Sequence, residues 1–152
     1  MKYRTVATGL TIAVLAAFEG YRQVDYYDPV SIPTACFGHT ETASVGVTRD
    51  LAGCEDLLLD DVRERQAMVL RYATVPLNDN QLAALTSFVY NVGEQAYKDS
   101  TLLKKLNSGD YTGACNELLR WVYAKGIKLG GLVKRREQER MLCLSPPLFR
   151  LP

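Results

Sequence analysis

Three residues early in the chain, Glu19, Asp28 and Thr34, have the types and spacing for general acid–base work on a sugar. Glu19 closes an uncharged run at Phe18 and is followed at once by Gly20, so its carboxyl group is expected at the end of an apolar helix. Partial desolvation there disfavours the charged form, which suits a proton donor. Asp28 precedes Pro29 in a Tyr-rich turn, where a better solvated carboxyl group stays ionised, and Thr34 adds a hydroxyl. Two carboxyl groups in unlike environments, one neutral and one charged, are the equipment for cleaving a glycosidic bond. Asp-Pro is also a common turn and Glu-Gly a common helix end, so spacing alone leaves a structural reading open.

Other chemistry is poorly supplied. His39 is the single histidine, and Cys36, Cys54, Cys115 and Cys143 make no CxxC pair and no zinc-ligand spacing, so no metal centre is expected. The chain has no GxGxxG, P-loop or HExxH, and no cofactor is expected. Eighteen Lys and Arg against 17 Asp and Glu leave a formal charge of +1, which gives no global reason for nucleic-acid binding. That charge is unevenly spread. Residues 1–40 hold three bases and three acids (net 0), residues 41–80 four and eight (net −4), and residues 81–152 eleven and six (net +5). Arg120, Lys125, Lys128, Lys134, Arg135, Arg136 and Arg140 crowd the last part, either as a local attraction for an anionic polymer or as a solvated helix face.

The elements that position the candidate residues follow from pattern. A chain of 152 residues, 47% hydrophobic and 23% charged, suits one domain with its own core. Lys2 and Arg4 precede a run from Thr5 to Phe18 without charge, the shape of a signal n-region and h-region. As helix, Val6 to Phe18 would reach about 20 Å, against ~30 Å for a hydrocarbon core. Residues 1–18 therefore read as a buried first helix or as a weak signal-anchor segment. Residues 20–48, with Tyr, Val, Thr and Ile broken by Pro29, Pro33, Gly38 and Gly46, are the only β-like stretch. Thr48 is placed to cap a helix carrying Leu51, Cys54, Leu57, Leu58 and Val62 on one face and ending before Pro76. Asn78 and Gln81 have capping-box spacing for a helix through Val92 that is apolar on most sides and belongs in the centre of the core. Helices over 100–107, 111–124 and 132–142 follow, until Ser145, Pro146 and Pro147 end regular structure. The sum is an α+β fold: a first helix over 1–18, a β-rich lobe over 20–48, a helical lobe over 49–143 and a tail over 144–152.

Taken together, Glu19, Asp28 and Thr34 followed by Cys36-Phe-Gly-His-Thr40 resemble the signature of phage-type lysozymes, the T4 and P22 endolysin family. The likeness continues through Phe18-Glu-Gly-Tyr-Arg22, Phe88-Val-Tyr-Asn-Val-Gly93, Ser100 to Asn107, Arg120-Trp121, and Gly131 through Cys143, so it covers residues 18–143 in order. The resemblance implies a lysozyme-like fold with a cleft between the lobes. It also implies a muramidase that hydrolyses the β-1,4 bond between N-acetylmuramic acid and N-acetylglucosamine in peptidoglycan and lyses the bacterial host. Glu19 would protonate the leaving oxygen, and Asp28 with Thr34 would orient water on the opposite face of the sugar, with inversion.

Further roles come from the same likeness. Arg135 falls where the family pairs an arginine with the catalytic glutamate. Asn91 falls where it presents an amide to substrate, or else is simply the polar end of a helix. His39 takes a structural position beside a carboxylate of the next helix, best matched by Asp61. Tyr27 would stack on a sugar or pack in the core. The resemblance pairs Cys36 with Cys54 and Cys115 with Cys143, which implies an oxidising compartment; the alternative is four buried thiols. Peptidoglycan strands are then the partner of a monomer that binds no nucleic acid and associates transiently with membrane through residues 5–18. The enzyme would be made in the host cytoplasm and act in the periplasm, exported by its signal-anchor or released by a holin. The rival readings are a lytic transglycosylase and a non-catalytic peptidoglycan-binding module.

Overall fold

A computed structural model describes residues 5–20, 22–28 and 31–147. Its centre is the helix α3 (Asp79–Val92), in which every residue from Leu82 to Val89 is buried. The capping box forms: the Asn78 side chain accepts from the Gln81 amide and the Gln81 side chain accepts from the Asn78 amide. Satisfying both ends of this first turn lets an almost wholly apolar helix start at a defined residue inside the core. Around it pack α1 (Thr5–Glu19), α2 (Leu51–Tyr72) and α7 (Gly130–Leu144). Between α3 and α7 come the short helices α4 (Glu94–Lys98), α5 (Thr101–Asn107) and α6 (Tyr111–Glu117).

The helix α1 buries only Ala7, Thr8, Thr11 and Leu15. Two of these carry hydroxyls, and both are satisfied: Thr11 Oγ1 donates to Ala7 O at 2.8 Å, and Gln66 Nε2 of α2 donates to Thr8 Oγ1 at 3.2 Å. The threonines that interrupt the apolar run therefore face inward, so α1 is less a buried helix than a helix docked along one stripe. Among the described residues no helix is long and apolar enough to cross a membrane.

The lobe after α1 is a hairpin of β1 (Arg22–Tyr27) and β2 (Pro33–Cys36), antiparallel, with Tyr26 opposite Thr34 and Tyr27 opposite Pro33. Asp25, 2% exposed, holds the loop that follows. Its carboxylate accepts two bonds from the Arg49 guanidinium and one from the Ser44 amide. The bond to Arg49 is the main reason its carboxyl group stays ionised below the usual range. Two disulfides, Cys36–Cys54 and Cys115–Cys143, tie β2 to α2 and α6 to α7. These are the pairs implied by the resemblance.

Four expectations are corrected. The cap of α2 is Asp50, whose side chain accepts from the Gly53 amide at 2.7 Å; Thr48 is instead engaged in a bridge with Val24. No single helix spans 111–124: α6 stops at Glu117, a 3-10 turn covers Leu118–Arg120, and a second hairpin follows, β3 (Tyr123–Ala124) with β4 (Ile127–Lys128). The segment over 20–48 is thus not the only β structure. The reason is local, since Lys125 and Gly126 take positive φ and reverse the chain. Finally, Arg135 and Arg136 belong to no surface patch: they are 5% and 0% exposed.

Candidate active site

Glu19 is the last residue of α1, and the positive φ of Gly20 (69°) turns the chain away just beyond it. Its side chain keeps 22% exposure. Arg135 Nη1 donates to Glu19 Oε1 at 2.5 Å. The same guanidinium lies over the Phe18 ring, donates from Nη2 to Ser87 O and from Nε to Glu139 Oε1. Glu139 itself is fully buried, accepts from Ser87 Oγ at 2.7 Å, and also binds Arg136 Nη1. Arg136 then donates from Nε to Trp121 O and from Nη2 to Asn91 Oδ1. Two guanidinium groups and two carboxylates form one connected array under the floor of the site. Burial pulls the Arg136 guanidinium below its ordinary range. Because the Asn91 oxygen faces Arg136, the amide nitrogen of this exposed residue is the donor left to point outward.

The other side of Glu19 meets backbone. A Cβ built on Gly38 would stand 3.0 Å from Glu19 Oε2, and Gly38 has φ +85°. The loop is held there by Tyr90, whose hydroxyl donates to Phe37 O at 2.9 Å. Burial, with the nearby carboxylates of Asp61 and Glu19, pushes the Tyr90 hydroxyl well above its ordinary range, so it remains a donor. Gly38→Ala is therefore expected to cost about 1–3 kcal/mol of stability through its backbone and to displace the Glu19 carboxylate. The double mutant Glu19→Ala/Gly38→Ala should recover the steric part. Thermal unfolding of both singles and the double checks this, and strict additivity would disprove the contact.

Asp28 and Thr34 sit together at the far end of the first hairpin. Asp28 Oδ1 accepts from the Ile32 amide at 2.8 Å, and Thr34 Oγ1 donates to Ile32 O at 3.0 Å, so one residue anchors both. Thr34 is 4% exposed. Glu19 is joined to the same lobe through Gly38, in the turn after β2. Tyr27, by contrast, is 62% exposed and does not pack in the core.

His39 has both ring nitrogens occupied by protein groups. Nε2 accepts from the Thr42 amide at 3.1 Å, which leaves the Nδ1 hydrogen for Asp61 Oδ2 at 2.7 Å. The ring bolts the turn after β2 to α2. Glu41, Asp61 and Glu64 approach one another as cation ligands do, but Arg65 lies among them and makes ion pairs with all three.

Several members of the site escaped the sequence reading: Gly38, Ser87, Tyr90, Arg136 and Glu139. A legible signal existed for two of them, since Glu139 stands four residues after Arg135 and three after Arg136 on one helix.

The phage lysozyme family model matches residues 16–139. The chain belongs to the phage lysozyme family. The matched span holds Glu19, Asp28, Thr34, the arginine pair and Glu139. The chain is 43% identical over 127 residues to the SAR-endolysin of Bacteriophage PS119, covering 83% of this chain and 76% of that protein. Among solved structures it is similar to the muramidase domain of SpmX from Asticaccaulis excentricus, with a TM-score of 0.83, 30% identity, and coverage of 90% of this chain and 95% of that one. A P22 lysozyme variant gives a TM-score of 0.78 at 33% identity, covering 89% and 95%. The lysozyme-like α+β fold expected from the sequence is thus the fold found.

Proposed function

We propose that this member of the phage lysozyme family is an endolysin whose single domain hydrolyses the β-1,4 bond between N-acetylmuramic acid and N-acetylglucosamine. The observation that carries the reading is the setting of Glu19: a carboxyl group between a buried arginine of α7 and the glycine backbone of the turn that follows the hairpin carrying Asp28 and Thr34. Glu19 donates its proton to the glycosidic oxygen as the C1–O bond breaks. Water attacks C1 from the opposite face and gives up its proton to Asp28, whose negative charge also favours the oxocarbenium-like transition state. The Thr34 hydroxyl already donates to Ile32 O, so it meets that water as an acceptor. Asn91 offers its amide hydrogens, and Tyr27 an exposed ring, to the glycan.

The helix that would enter a membrane is also the one that ends in Glu19. Residues 5–18 held in a bilayer cannot dock on α2 and α3, so a membrane-held chain is silent and released chain is active. The relatives named SAR-endolysin support export to the periplasm by this segment. There the two disulfides are stable.

Products test the reaction. Digestion of purified sacculi is expected to yield reducing muramic acid ends, first as the α anomer, and Asp28→Ala is expected to lower kcat by roughly 100-fold or more. Anhydromuramic products, with Asp28→Ala as active as the parent, would make the chain a transglycosylase. No release of muropeptides at all would make it a binding module.

A further inference from the structure

The hairpin of β3 and β4 takes no part in the chemistry above, and it is built as a finger rather than as core. Lys125 and Gly126 at its tip have φ of 49° and 76°, the geometry of a tight two-residue turn whose twist matches the flanking strands. All four strand residues are exposed, Tyr123 by 62%. Direct cross-strand partners share a face, so the pairing of Tyr123 with Lys128 puts an aromatic and a basic residue on one face of the hairpin. Among the described residues no carboxylate pairs with Lys125 or Lys128.

The base of the finger is fastened to the array that holds Glu19. The Leu129 amide donates to Val122 O, and Arg136 Nε donates to Trp121 O, both at 3.0 Å. Leu129, with Phe18, Gly131, Leu132 and Arg135, lines a cavity of about 360 Å³. One wall of that cavity adjoins and holds the candidate acid, and another is the root of the finger.

We propose that the finger is a second glycan-binding site, which engages a carboxylate-bearing muramic acid residue on the stretch of peptidoglycan beyond the bond being cut. The Tyr123 ring covers the apolar face of the sugar, and the Lys128 ammonium binds the carboxylate. Charge supports this occupant: Lys125 and Lys128 both lie on the finger with no carboxylate partner among the described residues, so an anionic group of the strand is drawn to them. The carboxylate has two sources, the lactyl group where the peptide has been removed and the stem peptide where it is present. The inference rests on the muramidase reading and deepens it.

The test uses the full chain carrying Glu19→Gln, sedimented with purified sacculi and with sacculi stripped of peptides by an amidase. Adding Lys128→Glu is expected to weaken the apparent Kd about tenfold, as loss of one charge-assisted bond would, and Tyr123→Ala similarly, with Tm unchanged because both residues are exposed. A loss confined to intact sacculi identifies the stem peptide, and one confined to stripped sacculi the lactyl group. Equal sedimentation of Lys128→Glu and its parent with both kinds of sacculi overturns the proposal. Muropeptide release by the wild type separates the two readings: if it cleaves while the Lys128 change is silent, the finger alone is wrong.

Discussion

Glu19→Gln should reduce lysis of permeabilised cells by about 100- to 10,000-fold, the range a positioned general acid supplies, while the protein keeps its fold. The amide cannot yield a proton to the leaving oxygen, yet it fills the same space and still offers an oxygen to Arg135. Arg135 is not left stranded, because Glu139 Oε1 and Ser87 O remain its acceptors. Replacing a charge-assisted bond at a partly exposed carboxylate by a neutral one should cost no more than about 1–2 kcal/mol, or a few degrees in Tm for a chain of this length. Turbidity loss in permeabilised cells and thermal unfolding on the same preparation measure the two effects. Activity above about a tenth of wild type would remove Glu19 from its role, since no other group in the array is placed to donate.

Glu139→Leu should be the most damaging single change to stability among the residues that support the site. Glu139 is fully buried and takes bonds from Ser87 and both arginines. Removing its charge leaves two buried guanidinium groups with one carboxylate, Glu19, between them. Breaking a buried pair from one side costs about 3–5 kcal/mol, which corresponds to a fall of roughly 10 °C in Tm at ~2–4 °C per kcal/mol. Glu139→Gln, which keeps the acceptor and the shape, should lie between wild type and Leu. Activity measured well below Tm should also fall in both variants, because Arg135 positions Glu19 and Arg136 positions Asn91. Thermal melts and assays of the three proteins provide the comparison, and a Glu139→Leu protein within about 1 kcal/mol of wild type would contradict the account of the array.

Local chemistry made much of the fold legible. The Asn78–Gln81 capping box, Ser100 as the cap of α5 and the end of α1 at Glu19 are all short-range matters, in which a side chain meets the backbone of its own turn. The places where pattern misled are those where a distant partner intervened. Thr48 has the chemistry of a cap but is drawn into a bridge with Val24, and Asp50 replaces it. The residues after Glu117 have helical spacing, yet the chain turns back at Lys125 and Gly126, and Trp121 O accepts from an arginine of α7. The resemblance joined the candidate acid to its arginine and the cysteines into pairs, which periodicity could not have done.

What the chain order settled by itself is the set of groups available: one carboxyl group at the end of an apolar helix, a second in a turn, a hydroxyl on the following strand and one histidine. Only the tertiary structure decided that Arg135 and Arg136 leave the solvent and that Gly38 brings bare backbone against Glu19. It also turned Thr8 and Thr11 of the apolar run inward. The physical reason is range. A cap or a turn is decided within four residues, whereas a buried charge is tolerable only when opposite charges from α1 and α7, far apart along the chain, arrive together to replace the water it gives up.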